Sequence, residues 1–264
     1  MIKPAFFTRQ GERLVPNDCA RGPWSVNTLH GRLIIGVLGA EIERRHGSAE
    51  YMPARLTTDL HRMPSMSPLG VTSHVVRDGH RIKVVEAELH SEGRSVGRAS
   101  CQLLRHTRNP PGRIWSAPEW SAPAPAEIPD PGDSPINLNG MWEYRPITGE
   151  IGLYGRRCAW LREVRHLVAG ERLTPFARVA AGADYASPLV NASDAGLGFI
   201  NSDLTLYLHR LPLGEWIGYE AIAQGATDGV AVGECHVYDE QGRIGSATVC
   251  ALAQVAEGVA RRRE

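Results

Sequence analysis

The chain has 264 residues, enough for one large domain or two of ordinary size, each with a real core. Its 29 basic residues balance 29 acidic ones, so the charge favours neither nucleic acid nor a charged membrane surface as partner. Five scattered cysteines with no C-x-x-C pair argue against a zinc site or a disulfide framework and suit a reducing cytoplasm.

In chain order, Met1-Ile2-Lys3-Pro4 leads into Phe6 and Phe7 without an apolar leader, and a strand is predicted around Phe6 to Val15. In GPWSVNTLHGRLIIGVLGAEIERRHG, Leu29, Leu33, Ile34, Val37, Leu38 and Ile42 recur at helical spacing, which predicts a buried helix of about four turns. Asn27 or Thr28 is expected to cap its start; Arg44, Arg45 and His46 before Gly47 mark its end. The stretch LIIGVLGAEI is too short and too soon charged to cross a bilayer. The period then changes to two: Leu56, Thr58 and Leu60 alternate with Thr57, Asp59 and His61. Three more strands, joined by turns at Asp78-Gly79 and Glu92-Gly93, form an antiparallel meander.

Residues 109–140 hold eight of the eighteen prolines and read as a semi-rigid connector between a first unit, 1–108, and a second, 141–264. Its WSAP-E-WSAP echo offers tryptophans that can clip onto a domain surface, but a plain linker is the preferred reading. The second unit repeats the order of the first: strands at GMWEYRPI and CAWLREV, a helix at TPFARVAAGADYAS, then SDLTLYLHR and a meander with turns at Asp228-Gly229 and Gln241-Gly242. Leu204, Thr205, Leu208, His209, Arg210 and Pro212 repeat Leu56, Thr57, Leu60, His61, Arg62 and Pro64, each 148 positions further on. Two tandem units of strand, helix and antiparallel sheet follow. The duplicated His-Arg pairs are expected to make sheet-end contacts, and Arg261, Arg262 and Arg263 to form a solvated tail.

This order resembles the double hotdog fold, an α+β architecture in which each unit wraps an antiparallel sheet around a central helix. LHGRLIIGVLGAEI, VVRDGHRIKVVEAELHSEGRSVGRASCQLL and FINSDLTLYLHRLPLGEWIGYEA are similar to the TesB-type acyl-CoA thioesterases of the thioesterase-like superfamily. The resemblance implies hydrolysis of an acyl-CoA to free acid and CoA. In that family a carboxylate at the start of the second unit's long strand, with a Thr or Ser and a Gln from neighbouring strands, orients the attacking water. Asp203 matches the carboxylate, six residues before His209. The position of the family Gln is Cys250; the nearest hydroxyl on that strand is Thr248, while Gln224 and Thr227 fall where the family Thr aligns. Gln102 is the first-unit counterpart of Cys250, and the family's His-Gly-Gly becomes His30-Gly31-Arg32.

Thioester hydrolysis needs a positioned water, a base and donors for the oxyanion. Asp203 is either that base or the end of a turn before a strand. His30 either lines the pocket or caps the helix, Gly31 leaves room for a carbonyl beside the helix amides, and Arg32 narrows the entrance. Asp184, on a small-residue helix, is the reserve carboxylate, and Glu41 is expected to be solvated. No G-x-S-x-G, Walker A, G-x-G-x-x-G or H-E-x-x-H motif is present, so no metal or cofactor is implied. The partners expected are an acyl-CoA substrate and further copies of the chain, with neither nucleic acid nor membrane. The rival readings are a degenerate acyl-CoA or lipid-binding hotdog protein, a hotdog hydratase or dehydratase built on Asp184 and a histidine, and an interaction module without an acyl groove.

Overall fold

The computed structural model describes residues 3–22, 25, 27–116, 118, 120–132, 140–150 and 153–254; the Arg261–Arg263 tail and parts of the connector lie outside them. In the first unit, β1 (Phe7–Gln10) and β2 (Arg13–Pro16) precede α1 (Gly31–His46), and β3 (Tyr51–Leu60), β4 (Leu69–Asp78), β5 (Ile82–Ser91) and β6 (Arg94–Arg105) follow it. The second unit runs β7 (Trp142–Thr148), β8 (Cys158–Glu163), α2 (Pro175–Ala183), α3 (Ala186–Asn191), a small hairpin of β9 (Ala192–Ser193) and β10 (Gly196–Leu197), then β11 (Phe199–Asn201), β12 (Asp203–Leu208), β13 (Trp216–Thr227), β14 (Val230–Asp239) and β15 (Gly242–Ala253). The single strand expected around Phe6 to Val15 is instead a hairpin, because Gly11 takes a left-handed φ of +58° and reverses the chain there.

The two sheets join into one, in the order β1-β2-β4-β5-β6-β3-β12-β15-β14-β13-β8-β7, with β11 beside β12 on β15. This is the α+β double hotdog. The seam is the antiparallel pair β3 and β12, where Thr57 faces Thr205, two residues matched by the 148-residue repeat. Thr205 Oγ1 donates to Thr57 Oγ1 at 3.2 Å, so the local twofold relation between the units passes through this pair. Leu56, Thr58, Leu204 and Leu206 are buried on the helix side of the seam, and a slip by one residue would turn all of them outward.

The helices pack against each other inside the curled sheet. Leu33, Ile34, Val37, Leu38 and Ile42 of α1 are buried as their spacing predicts, and Ile35, outside that pattern, is buried as well. Its glycines set the depth of the contact: a Cβ on Gly36 would lie 2.9 Å from Ala181 Cβ, and one on Gly39 3.0 Å from Ala180 Cβ. The helix predicted over 174–187 is broken after Ala183. Tyr185 N–H bonds Gly182 O and Ser187 N–H bonds Asp184 O, a tighter winding imposed where Pro188 has no N–H to offer the Asp184 carbonyl.

The units also interlock. Phe6 and Phe7 N–H donate to the carbonyls of His166 and Leu167 at 3.1 and 2.8 Å, seating the chain's first strand along the second unit. The connector is more than the plain linker expected: Trp120 stacks on Tyr238 at 4.2 Å between ring centroids, and Trp160 Nε1 donates to Pro123 O at 3.1 Å. Gly218 makes this possible, since a Cβ there would come within 2.5 Å of the Trp120 ring. Trp115, the other tryptophan of the echo, is exposed.

Candidate active site

Because the seam is antiparallel, the two units meet at two ends, and at each the start of one helix faces the far end of the other. At the α1 end the N-cap is His30, three residues later than Asn27 and two later than Thr28, the caps expected: its Nδ1 accepts the Arg32 N–H at 3.3 Å. Accepting that bond assigns the lone pair to Nδ1 and the ring proton to Nε2. The Gly31 amide, first in α1, has no partner among the described residues.

Asp184, turned inward at the break after α2, lies over this helix start. Its Oδ2 sits 3.9 Å from His30 Nδ1 and 4.0 Å from where a Gly31 Cβ would be, while Oδ1 accepts Asn201 Nδ2 at 3.0 Å. Burial raises the Asp184 pKa above the usual aspartate range, with the Asn201 hydrogen bond and the Arg32 charge partly offsetting it. His30 is pushed down to about 3, first by burial and then by the Arg32 charge. The His30–Asp184 contact is therefore not an ion pair but a neutral imidazole, its Nδ1 lone pair taken by the Arg32 N–H, beside a carboxylate whose Oδ2 is left for a small donor such as water.

Arg32 does not merely narrow an entrance. It is fully buried, paired with Glu163, and lies 4.4 Å from the Trp142 ring centroid; burial pushes its pKa down to about 9. Its Nη1 and the hydroxyl of Tyr219 are buried without hydrogen-bond partners among the described residues. Glu163, Asn201, Trp142 and Tyr219 were not singled out from sequence, because each comes from a strand whose local pattern reports only its burial. Glu41, expected in solvent, is 2% exposed, since Arg9 reaches over from β1 to join Arg44 and Arg45 on its carboxylate.

The residues carried over by resemblance separate into three places. Asp203 and Cys250 meet: Cys250 N–H donates to Asp203 Oδ1 at 2.6 Å. Between the pairs Asn201–Ala251 and Thr205–Thr248 the β11–β12 strand has one residue more than β15, and the Asp203 carboxylate takes the ladder amide that this irregularity frees. Asp203 precedes the buried Leu204, so it faces the outer side of the sheet with Thr205 and Tyr207, whereas Asn201 reaches Asp184 on the inner side. Thr248 lies in an outer row of hydroxyl residues across the seam, Ser100, Thr57, Thr205 and Thr248. Gln224 and Thr227, opposite Gly233 and Val230, are exposed on β13, three strands from β12 and so about 14 Å along the sheet. Gln102 lies opposite Arg55, at the other end of the seam from Asp203. His61 and His209 make the expected sheet-end contacts, to Ser95 Oγ and Arg243 O, both at 2.9 Å.

Among the described residues no group of three or more His, Cys, Asp or Glu is placed to hold a metal ion, and no helix is long and apolar enough to cross a membrane.

Family models match both units: the acyl-CoA thioesterase N-terminal domain over residues 20–104 and the acyl-CoA thioesterase C-terminal domain over residues 118–249. None of the curated proteins matches the chain in sequence. Among solved structures, a conserved hot dog fold protein of unknown function from Alicyclobacillus acidocaldarius superposes with a TM-score of 0.75 at 16% identity, covering 94% of this chain and 96% of its own. The tesB protein of Mycobacterium avium subs paratuberculosis gives 0.68 at 15% identity over 94% and 96% of the two chains. The acyl-CoA thioesterase II TesB2 of Mycobacterium marinum gives 0.63 at 16% over 91% and 98%. At these identities the structural likeness speaks for the fold.

Proposed function

The chain belongs to the acyl-CoA thioesterase family, and from that premise we propose that it hydrolyses an acyl-CoA to free acid and CoA by carboxylate-directed attack of water at the α1 end of the seam. The observation that carries this reading is Asp184 Oδ2 over the start of α1, 3.9 Å from the His30 Nδ1 acceptor. A water beside Asp184 Oδ2 donates one hydrogen to it, which aims an oxygen lone pair away from the carboxylate. Its oxygen bonds to the thioester carbonyl carbon as Asp184 takes the proton. The developing oxyanion is held by the Gly31 amide and the positive end of the α1 dipole. The C–S bond then breaks, and the thiolate leaves with the proton returned by Asp184.

Two aspartates compete for the role of base. Resemblance favours Asp203; geometry favours Asp184, because Asp184 lies over the start of α1 whereas Asp203 faces the outer side of the sheet. Asp203 in this reading shapes the strand that presents Asn201. Free-thiol release from a panel of acyl-CoAs, short to long and including aromatic ones, tests the proposal. The expected result is turnover by wild type that falls about 10²- to 10⁴-fold in Asp184→Asn and far less in Asp203→Asn. Equal release by wild type and Asp184→Asn would remove Asp184 from the mechanism; release from no substrate would remove hydrolysis.

The same His30–Asp184 pair also supports the second reading, a hydratase that adds water across an enoyl thioester. Loss of enoyl absorbance without thiol release distinguishes it.

A further inference from the structure

The other end of the seam is built on the same plan with different chemistry. Thr174 caps α2, accepting the Ala177 N–H at 3.1 Å, and its hydroxyl donates to Glu43 from the last turns of α1. Where the α1 end is packed with Arg32, Trp142 and Tyr219, here a cavity of about 560 Å³ opens, walled by Ile42, Met52, Pro53, Leu103, Phe176 and Leu211. That size falls within the roughly 300–1,000 Å³ of small-molecule sites. His209 stands on its rim and also lines a second depression of about 620 Å³ on the outer face, which contains Arg55, Gln102 and Arg243.

The charge differs in the same sense. The 148-residue repeat places Arg55 and Gln102 at this end where the α1 end has Asp203 and Cys250. No carboxylate lines the outer depression among the described residues, so it attracts anions, while the cavity behind His209 offers an apolar wall, with the Glu43 carboxyl at its edge held by Thr174.

We propose that this end is a second ligand site, taking an anionic amphiphile whose acyl chain enters the Ile42–Leu103–Phe176 cavity and whose anionic group passes His209 to reach Arg55 and Arg243. The site does not depend on hydrolysis at the α1 end. Two sources share this chemistry, a free fatty acid and an acylated CoA, and calorimetric titration of the full chain with decanoate, with the non-hydrolysable thioether S-decyl-CoA and with CoA alone tells them apart.

In wild type at least one of the two decyl ligands binds. In Met52→Trp, which fills the cavity from its partly exposed wall, one equivalent of bound ligand is lost or its affinity falls at least tenfold. In Arg55→Glu/Arg243→Glu, on the outer face, the same class of sites weakens at least tenfold while the melting temperature stays near that of wild type. A response with decanoate assigns the free acid; one with S-decyl-CoA alone assigns the CoA conjugate. Wild-type stoichiometry and affinity in both variants, or binding by CoA alone as tight as by S-decyl-CoA, overturns the proposal. Thiol release followed in the same variants is a separate readout, so failure of the second site and failure of the thioesterase reading are told apart.

Discussion

The two ends of the seam between β3 and β12 began as copies and no longer resemble each other. At the α1 end an imidazole, a buried aspartate and the Arg32–Glu163 ion pair fill the space between the helices. At the α2 end a threonine and a glutamate occupy the matching places, and apolar walls leave a cavity open. Duplication within one chain permits this, because a substitution in one unit alters one end only, whereas two identical chains must change both ends together. One end can then be rigid and polar, suited to chemistry, and the other roomy and basic, suited to holding a ligand.

The comparison is sharpened most by removing the charge that packs the α1 end. Arg32→Met leaves Glu163 buried without its partner and should cost about 3–5 kcal/mol in denaturant unfolding, and adding Glu163→Leu should recover most of that loss. A small loss in the single variant would mean that the pair contributes little to closing this end. Gly36→Leu acts on both ends at once by forcing α1 off Ala181, and should cost about 1–3 kcal/mol. Trp120→Ala, far from either helix start, removes the stack on Tyr238 and should cost about 0.5–1.5 kcal/mol beyond the area it exposes, with thiol release intact.

Asp184→Asn should have the smallest effect on stability, and of opposite sign. Burial raises the Asp184 pKa in the folded chain, so folding favours the protonated form. The stability it contributes is complete below the unfolded value near about 3.9 and is lost as pH rises through the folded value. At neutral pH the buried charge is a net burden, and the variant should melt at the wild-type temperature or above it. By the same sign, wild-type turnover should fall on the acid side with a midpoint above the usual aspartate range. His30, held neutral down to about 3, adds no limb near pH 6. A midpoint at the ordinary imidazole value would transfer the titration to another histidine.

Much of the fold was legible because it is written locally. The echo of LTTDLHRMP in LTLYLHRLP exposed the duplication, the spacing of Leu33 to Ile42 gave α1, and the left-handed turns at Glu92-Gly93 and Asp228-Gly229 lie where the glycine pairs placed them. The site was legible in part: His30, Gly31 and Asp184 converge at one helix start, while Gln102 and Gln224 fall elsewhere. What the sequence hid depends on register and on distant partners. One extra residue between β11 and β12 decides that Asp203 reaches the Cys250 amide, and no local pattern reports it. Arg32 and Glu163 are 131 residues apart and Trp120 and Tyr238 are also on distant parts of the chain, so neither pairing leaves a trace in periodicity.

The most direct test of the difference between the two ends sets Asp184→Asn beside Glu43→Gln, its counterpart at the α2 end, in free-thiol release from the same acyl-CoA panel. The account predicts a kcat about 10²- to 10⁴-fold lower in Asp184→Asn and within a few-fold of wild type in Glu43→Gln. The reverse order would place the reaction at the α2 end and contradict it.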